Sequence, residues 1–116
     1  LPGGFVDPSL FIDEQGRLVL FFLYGQPGGD PAGCAPGEMT CVRQIGSATE
    51  VDGSDGAAFT LDAGQRVSMN VDPQSAIKTA SDPDIFFDGE RYVLYLSHGA
   101  STSVWVSDEL RGAYAQ

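Results

Sequence analysis

Basic residues are scarce in this sequence. Six Lys and Arg stand against 16 Asp and Glu, so the formal net charge is −10 at neutral pH. No row of phosphates can be neutralised by such a chain, and no nucleic-acid partner is expected. An anionic membrane surface is disfavoured on the same ground. Neutral ligands such as sugars, cationic ligands and metal ions stay compatible with this charge, and most of the acids read as a solvated face that keeps the surface soluble. Long apolar runs are missing too. The longest, Leu18–Tyr24, falls well short of the ~20 residues of a membrane-spanning helix and reads as a strand. No segment keeps a 3.6-residue apolar period, and residues 73–80 are a short turn at most. No cationic stretch followed by an apolar one opens the chain, which begins at Leu1 rather than Met, as a processed product would. With one His and two Cys, the chain lacks the ligands of a zinc site, and neither a metal nor a cofactor is expected.

What is present describes one small globular domain over residues 1–116, with 42% hydrophobic and 19% charged residues. Fifteen Gly and seven Pro imply many turns. Cys34 and Cys41 flank part of a Gly/Pro-rich segment, GQPGGDPAGCAPGEMTC. The favoured reading is a disulfide closing this loop, worth roughly 2 kcal/mol through the unfolded chain. It implies an oxidising, extracellular or periplasmic setting. The alternative is two unpaired thiols in a cytosolic protein.

The chain repeats itself. Residues 6–24 read VDPSLFIDEQGRLVLFFLY and residues 81–98 read SDPDIFFDGERYVLYLSH. Asp7-Pro8 aligns with Asp82-Pro83, Leu10-Phe11-Ile12-Asp13 with Ile85-Phe86-Phe87-Asp88, and Arg17 with Arg91. The turn between them is longer in the first copy. Such self-similarity marks a repeat architecture. Each copy has the grammar of a β-hairpin: an apolar run, a D-x-x-G or D-G turn, and a second apolar run. The second runs, 18–23 and 92–96, are almost continuously apolar, as strands buried on both faces are. A third strand follows each hairpin, at 41–49 and at Thr102–Ser107. In the first copy the turn Asp52-Gly53-Ser54-Asp55-Gly56 introduces a fourth, through 57–61 and 66–70. That turn resembles part of a calcium loop but lacks the further ligands and the closing Glu. The second copy ends where its fourth strand would begin.

Repeated four-stranded antiparallel units describe propeller blades. The pattern Asp82, Pro83, Phe86, Asp88, Gly89, Tyr92, Leu94, Tyr95 resembles the inner hairpin of the five-bladed propeller glycosidases, the arabinanase/xylosidase and invertase-like superfamily. The tail Val104-Trp105-Val106-Ser107-Asp108-Glu109-Leu110-Arg111-Gly112-Ala113-Tyr114 is similar to that family's third strand and following turn. So is Ile45-Gly46-Ser47-Ala48-Thr49 with Asp55-Gly56-Ala57-Ala58-Phe59. The resemblance implies an all-β fold of two four-stranded antiparallel propeller-like blades, the first over 5–72 and the second, incomplete, over 81–116.

It also implies roles. In the family the Asp of such Asp-Pro hairpins faces a central pocket, and two of its three catalytic carboxylates stand there. Asp7 and Asp82 match those positions. Glycoside cleavage needs one carboxyl as acid and another as base or nucleophile. The alternative for both is structural, since Asp before Pro readily caps a turn. The family's general acid is a Glu from a later blade, and Glu38, Glu50, Glu90 and Glu109 do not lie in a matching context. As ligand-binding candidates His98 stands at a strand end beside Gly99, and Trp105 offers a ring for a sugar to stack on. The alternatives are a polar loop residue and a core aromatic.

Two blades do not close a propeller. The chain is therefore expected to be part of a larger propeller, to self-associate into a homo-oligomer, or to collapse as a sandwich. The leading expectation is a carbohydrate-associated module, sugar-binding or glycosidase-derived and not catalytic as a lone chain. The alternatives are a glycoside hydrolase acting as fragment or oligomer, and a structural protein without a small-molecule ligand.

Overall fold

The structure, a computed structural model, describes residues 5–24, 41–72 and 77–116. These form eight strands in two antiparallel sheets: β1 (Phe5–Ile12), β2 (Leu18–Tyr24), β3 (Cys41–Glu50), β4 (Phe59–Leu61), β5 (Val67–Val71), β6 (Ile77–Phe87), β7 (Tyr92–Gly99) and β8 (Thr102–Ser107). The fold is all-β. Cys34 lies outside the described residues, as does the side chain of Cys41, and so the disulfide expectation falls outside them too.

The first sheet runs β1-β2-β3, and both β4 and β5 pair with β3. β4 lies opposite Ala48–Glu50 and β5 opposite Cys41–Ile45, so the two are halves of one interrupted fourth strand. The excursion between them stays anchored: the Asp62 N–H donates to the Ser47 carbonyl (3.0 Å) and the Arg66 N–H to the Ile45 carbonyl (2.7 Å). The second sheet runs β6-β7-β8. Its own fourth strand has a single rung, where Val106 and Ala115 exchange backbone bonds of 2.8 and 3.0 Å. One local expectation is corrected. Residues 77–80, read as a short turn, begin the long strand β6, because Ala80 is fully buried between the sheets.

Asp and Gly set the hairpin turns as their backbone preferences require. Gly16 and Gly89 take φ of 79° and 101°, where a side chain is strained. Asp13 and Asp88 close their turns alike: each carboxylate accepts bonds from backbone N–H groups two to four residues on, Gln15 and Arg17 in one case, Glu90 and Arg91 in the other.

The sheets pack face to face. Val19, Phe21 and Leu23 of β2 meet Ile85 of β6 and Leu94 and Leu96 of β7 in one apolar cluster, joined by Ile45, Val67 and Val71. β6 is the centre of this packing and touches β1, β2, β3 and β5. The two edge strands β1 and β6 lie side by side. Ser9 Oγ accepts the Ile85 N–H at 3.3 Å. Further along, the Phe11 ring meets Tyr92, the partner of Phe87, edge-on at 5.7 Å. Contacts ascend both strands together, so β1 and β6 run in the same direction. Neighbouring inner strands of a propeller have this relation, and the arrangement is compatible with a partial propeller.

Phe21 is fully buried and its ring also meets Tyr114 at 6.2 Å. Phe21→Ala is expected to cost about 3–5 kcal/mol, read as a fall in the chemical-denaturation midpoint. A small loss would show that the inter-sheet core is not what holds the fold.

Candidate functional site

Asp7 and Asp82 sit in matching breaks of the two edge ladders. In β1 the register passes from Val6↔Leu23 to Ser9↔Phe21, so Asp7 and Pro8 together oppose Phe22. In β6 it passes from Ser81↔Ser97 to Asp84↔Tyr95, so Asp82 and Pro83 oppose Leu96. Each is a β-bulge of two residues against one. Pro suits the site because it has no N–H to lose from the ladder. Both Asp residues take left-handed backbone, φ 55° for Asp7 and 47° for Asp82. An L-residue held there costs on the order of 1–2 kcal/mol, least for Asp and Asn. Both side chains are exposed. Because β1 and β6 run together, the two bulges fall at the same end of the molecule, away from the hairpin turns. Ser81 donates its hydroxyl to Asp82 Oδ2 at 2.9 Å.

His98 and Trp105 are brought together, but around a shared serine. His98 is buried, and its Nδ1 lies 2.7 Å from the Thr79 carbonyl. A carbonyl only accepts, so Nδ1 carries the proton and donates. Nε2, 2.7 Å from Ser103 Oγ, then accepts the serine hydroxyl. Trp105 Nε1 donates to the same oxygen at 2.6 Å. The Thr79 carbonyl falls between Ile77↔Gly99 and Ser81↔Ser97, where the ladder slips a second time. The imidazole thus replaces a lost backbone bond and holds the strand that leads into Asp82. Sequence reasoning offered His98 as a ligand-binding candidate or a polar loop residue at a strand end; it is buried in β7, and no sequence signal marked its bond to Ser103.

A polar network at the opposite, hairpin end had no place among the expected site residues. Arg111 reaches back from the segment after β8 and donates through Nη2 to Asp13 Oδ2 (2.7 Å) and through Nε to Thr49 Oγ1 (2.8 Å). Asp62 accepts the hydroxyls of Ser47 (2.6 Å) and Thr49 (2.8 Å) and lies 3.6 Å from Arg111. Burial of Asp13 works against its charge, but bonds from Arg111, from the Arg17 backbone and guanidinium, and from the Gln15 N–H outweigh it and bring its pKa down to about 2. A shallow groove beside it is lined by Asp13, Glu14, Tyr92, Asp108, Glu109 and Arg111.

Among the Glu residues, Glu50 is spoken for. Its two oxygens accept the Leu18 N–H (3.0 Å) and the Gly56 N–H (2.6 Å), and these bonds lower its pKa. A general acid needs the opposite shift. Glu38 lies outside the described residues. Among the described residues no group of three or more His, Cys, Asp or Glu is placed to hold a metal ion. No protein-family model matches the chain, and comparison with curated proteins finds no match.

Two outcomes test this geometry. The folded pKa of Asp13 lies below its ordinary value of 3.8, so the stability it contributes is present above that value and lost as pH falls through about 2. Acid-unfolding curves should steepen between about pH 4 and pH 2, and Arg111→Gln should flatten that limb. Substitutions at Asp82 should rank by their tolerance of positive φ: Asp82→Gly raises the melting temperature slightly, and Asp82→Val lowers stability by about 1–2 kcal/mol. The reverse order would show that the bulge is not strained.

Proposed function

We propose that the chain is a carbohydrate-associated propeller module in which Asp7 and Asp82 are pocket-facing carboxylates that bind sugar hydroxyls. The observation that carries the reading is the matched pair of Asp-Pro bulges. The same dipeptide, in the same left-handed backbone, interrupts two neighbouring parallel-running strands at the same end. Strained backbone retained twice at equivalent places needs a reason, and exposed carboxylates aimed by it are one. A carboxylate accepts two hydrogen bonds from adjacent hydroxyls of a neutral ligand, which also suits a chain of net charge −10. The likeness of this hairpin to propeller glycosidases supports the choice of sugar over other neutral ligands.

Catalysis by the lone chain is not part of the proposal. Two carboxylates without a protonated partner bind a glycoside but do not expel its leaving group. Glu50, held ionised by two N–H bonds, does not supply the missing acid.

Titration with arabino-, xylo- and fructo-oligosaccharides, followed by amide NMR, tests the reading. Shifts should concentrate at Ser9, Ser81 and Asp84, beside the bulges. Asp82→Asn should abolish them with the fold intact, and Asp108→Asn, at the hairpin end, should not. Hydrolysis of aryl glycosides should be negligible. Binding that survives Asp7→Asn/Asp82→Asn, or turnover at an ordinary enzymatic rate, would reject the proposal.

A further inference from the structure

The two sheets each have one face inside the molecule and one outside, and the outside faces are apolar. On the first sheet Leu10, Leu20, Ala48 and Leu61 line up across β1, β2, β3 and β4 by their register; Ala48 and, further along the same face, Phe22 are buried, while Leu10 and Leu61 at the two sides are exposed. Leu10 is 53% exposed, and Ile12 beside it is 60% exposed. On the second sheet Tyr95 and Val104 stand opposite each other on β7 and β8 and are 37% and 45% exposed. Phe86 lies against Tyr95, ring centroids 5.4 Å apart, on the same face.

The internal repeat says what these faces are. In the interface inside the chain, the first sheet contributes Val19 and Phe21, and the second contributes Ile85 and Leu94. Alignment of the two copies makes Val93 and Tyr95 the equivalents of Val19 and Phe21, and Leu10 and Leu20 the equivalents of Ile85 and Leu94. Val93 and Tyr95 lie on the outer face of the second sheet, Leu10 and Leu20 on the outer face of the first. Each outer face is therefore the counterpart of one side of the interface already formed, and the two are counterparts of opposite sides. A stack built by that rule continues the existing interface at both ends.

We propose that a second copy of this chain docks head to tail, the outer face of its first sheet seating on the outer face of β6, β7 and β8 in the copy before it. The contact joins two different patches, so it is heterologous, and it closes into a ring or propagates according to the rotation between copies. Both Asp-Pro ends point the same way in each added copy, because the edge strands of successive sheets keep one direction. The inference stands on the repeat and the exposed faces and is independent of the sugar reading.

Complementary face variants test it. Leu10→Lys spoils the outer face of the first sheet, and Tyr95→Lys that of the second. Both positions are exposed, and far-UV circular dichroism checks that each variant folds. Sedimentation velocity should show the unaltered chain as an assembly at micromolar concentration and each variant alone as a monomer. Mixed in equal amounts, the variants should form a one-to-one dimer, since one retains the second-sheet face and the other the first-sheet face. An unaltered chain that stays monomeric at high micromolar concentration overturns the proposal. So does a mixture that yields no dimer, because a self-complementary contact would not be rescued by mixing.

Discussion

Burial of the apolar face of β2 against β6 and β7 is the constraint on which the other features rest. Val19, Phe21 and Leu23 are each fully buried there, and no single sheet of this size has anywhere else to put them. At roughly 1.5–3 kcal/mol for each large side chain taken out of water, this cluster outweighs any single polar contact in the protein. Its geometry brings the edge strands β1 and β6 together, and the Ser9–Ile85 bond sets their alignment. The common end of the two Asp-Pro bulges is a consequence of core packing rather than of anything local to the aspartates.

The bulges are a local device held by non-local means. Left-handed backbone at Asp7 and Asp82 is held between the pairs that flank each bulge, Val6↔Leu23 and Ser9↔Phe21 in one case and the single rung Ser81↔Ser97 and Asp84↔Tyr95 in the other. In the second copy the clamp is visible: His98, itself fixed through Ser103 and Trp105, bonds the carbonyl of Thr79 just before the bulge. The two residues that sequence reasoning set aside for a ligand thus act, in this structure, on the backbone that presents Asp82.

Asp13 and Asp88 show how one motif acquires two characters. Both close a hairpin by accepting backbone N–H groups, and in both those bonds favour the charged form. Asp88 stays exposed. Asp13 is covered by Arg111, a residue nearly the whole chain away, and becomes the tie between the end of the chain and its first turn. The first sheet thereby gains a network of Arg111, Thr49, Asp62 and Ser47 that the second has no counterpart for among the described residues.

Strand positions, turns and the internal repeat were legible in the sequence because each depends on near neighbours: apolar runs for β2 and β7, Gly at positive φ, Asp two to four residues from the N–H it accepts. The all-β class followed from the same signals. The start of β6 was misread because residues 77–80 carry no strand pattern of their own and are held by burial of Ala80 between the sheets. The two-part fourth strand was legible as 57–61 and 66–70, but the shared serine of His98 and Trp105 and the reach of Arg111 to Asp13 were closed to a linear reading. So was the choice of which apolar face of β2 lies inside. A strand apolar on both faces is symmetric to its own sequence, and only the sheet packed against it decides which face leaves water.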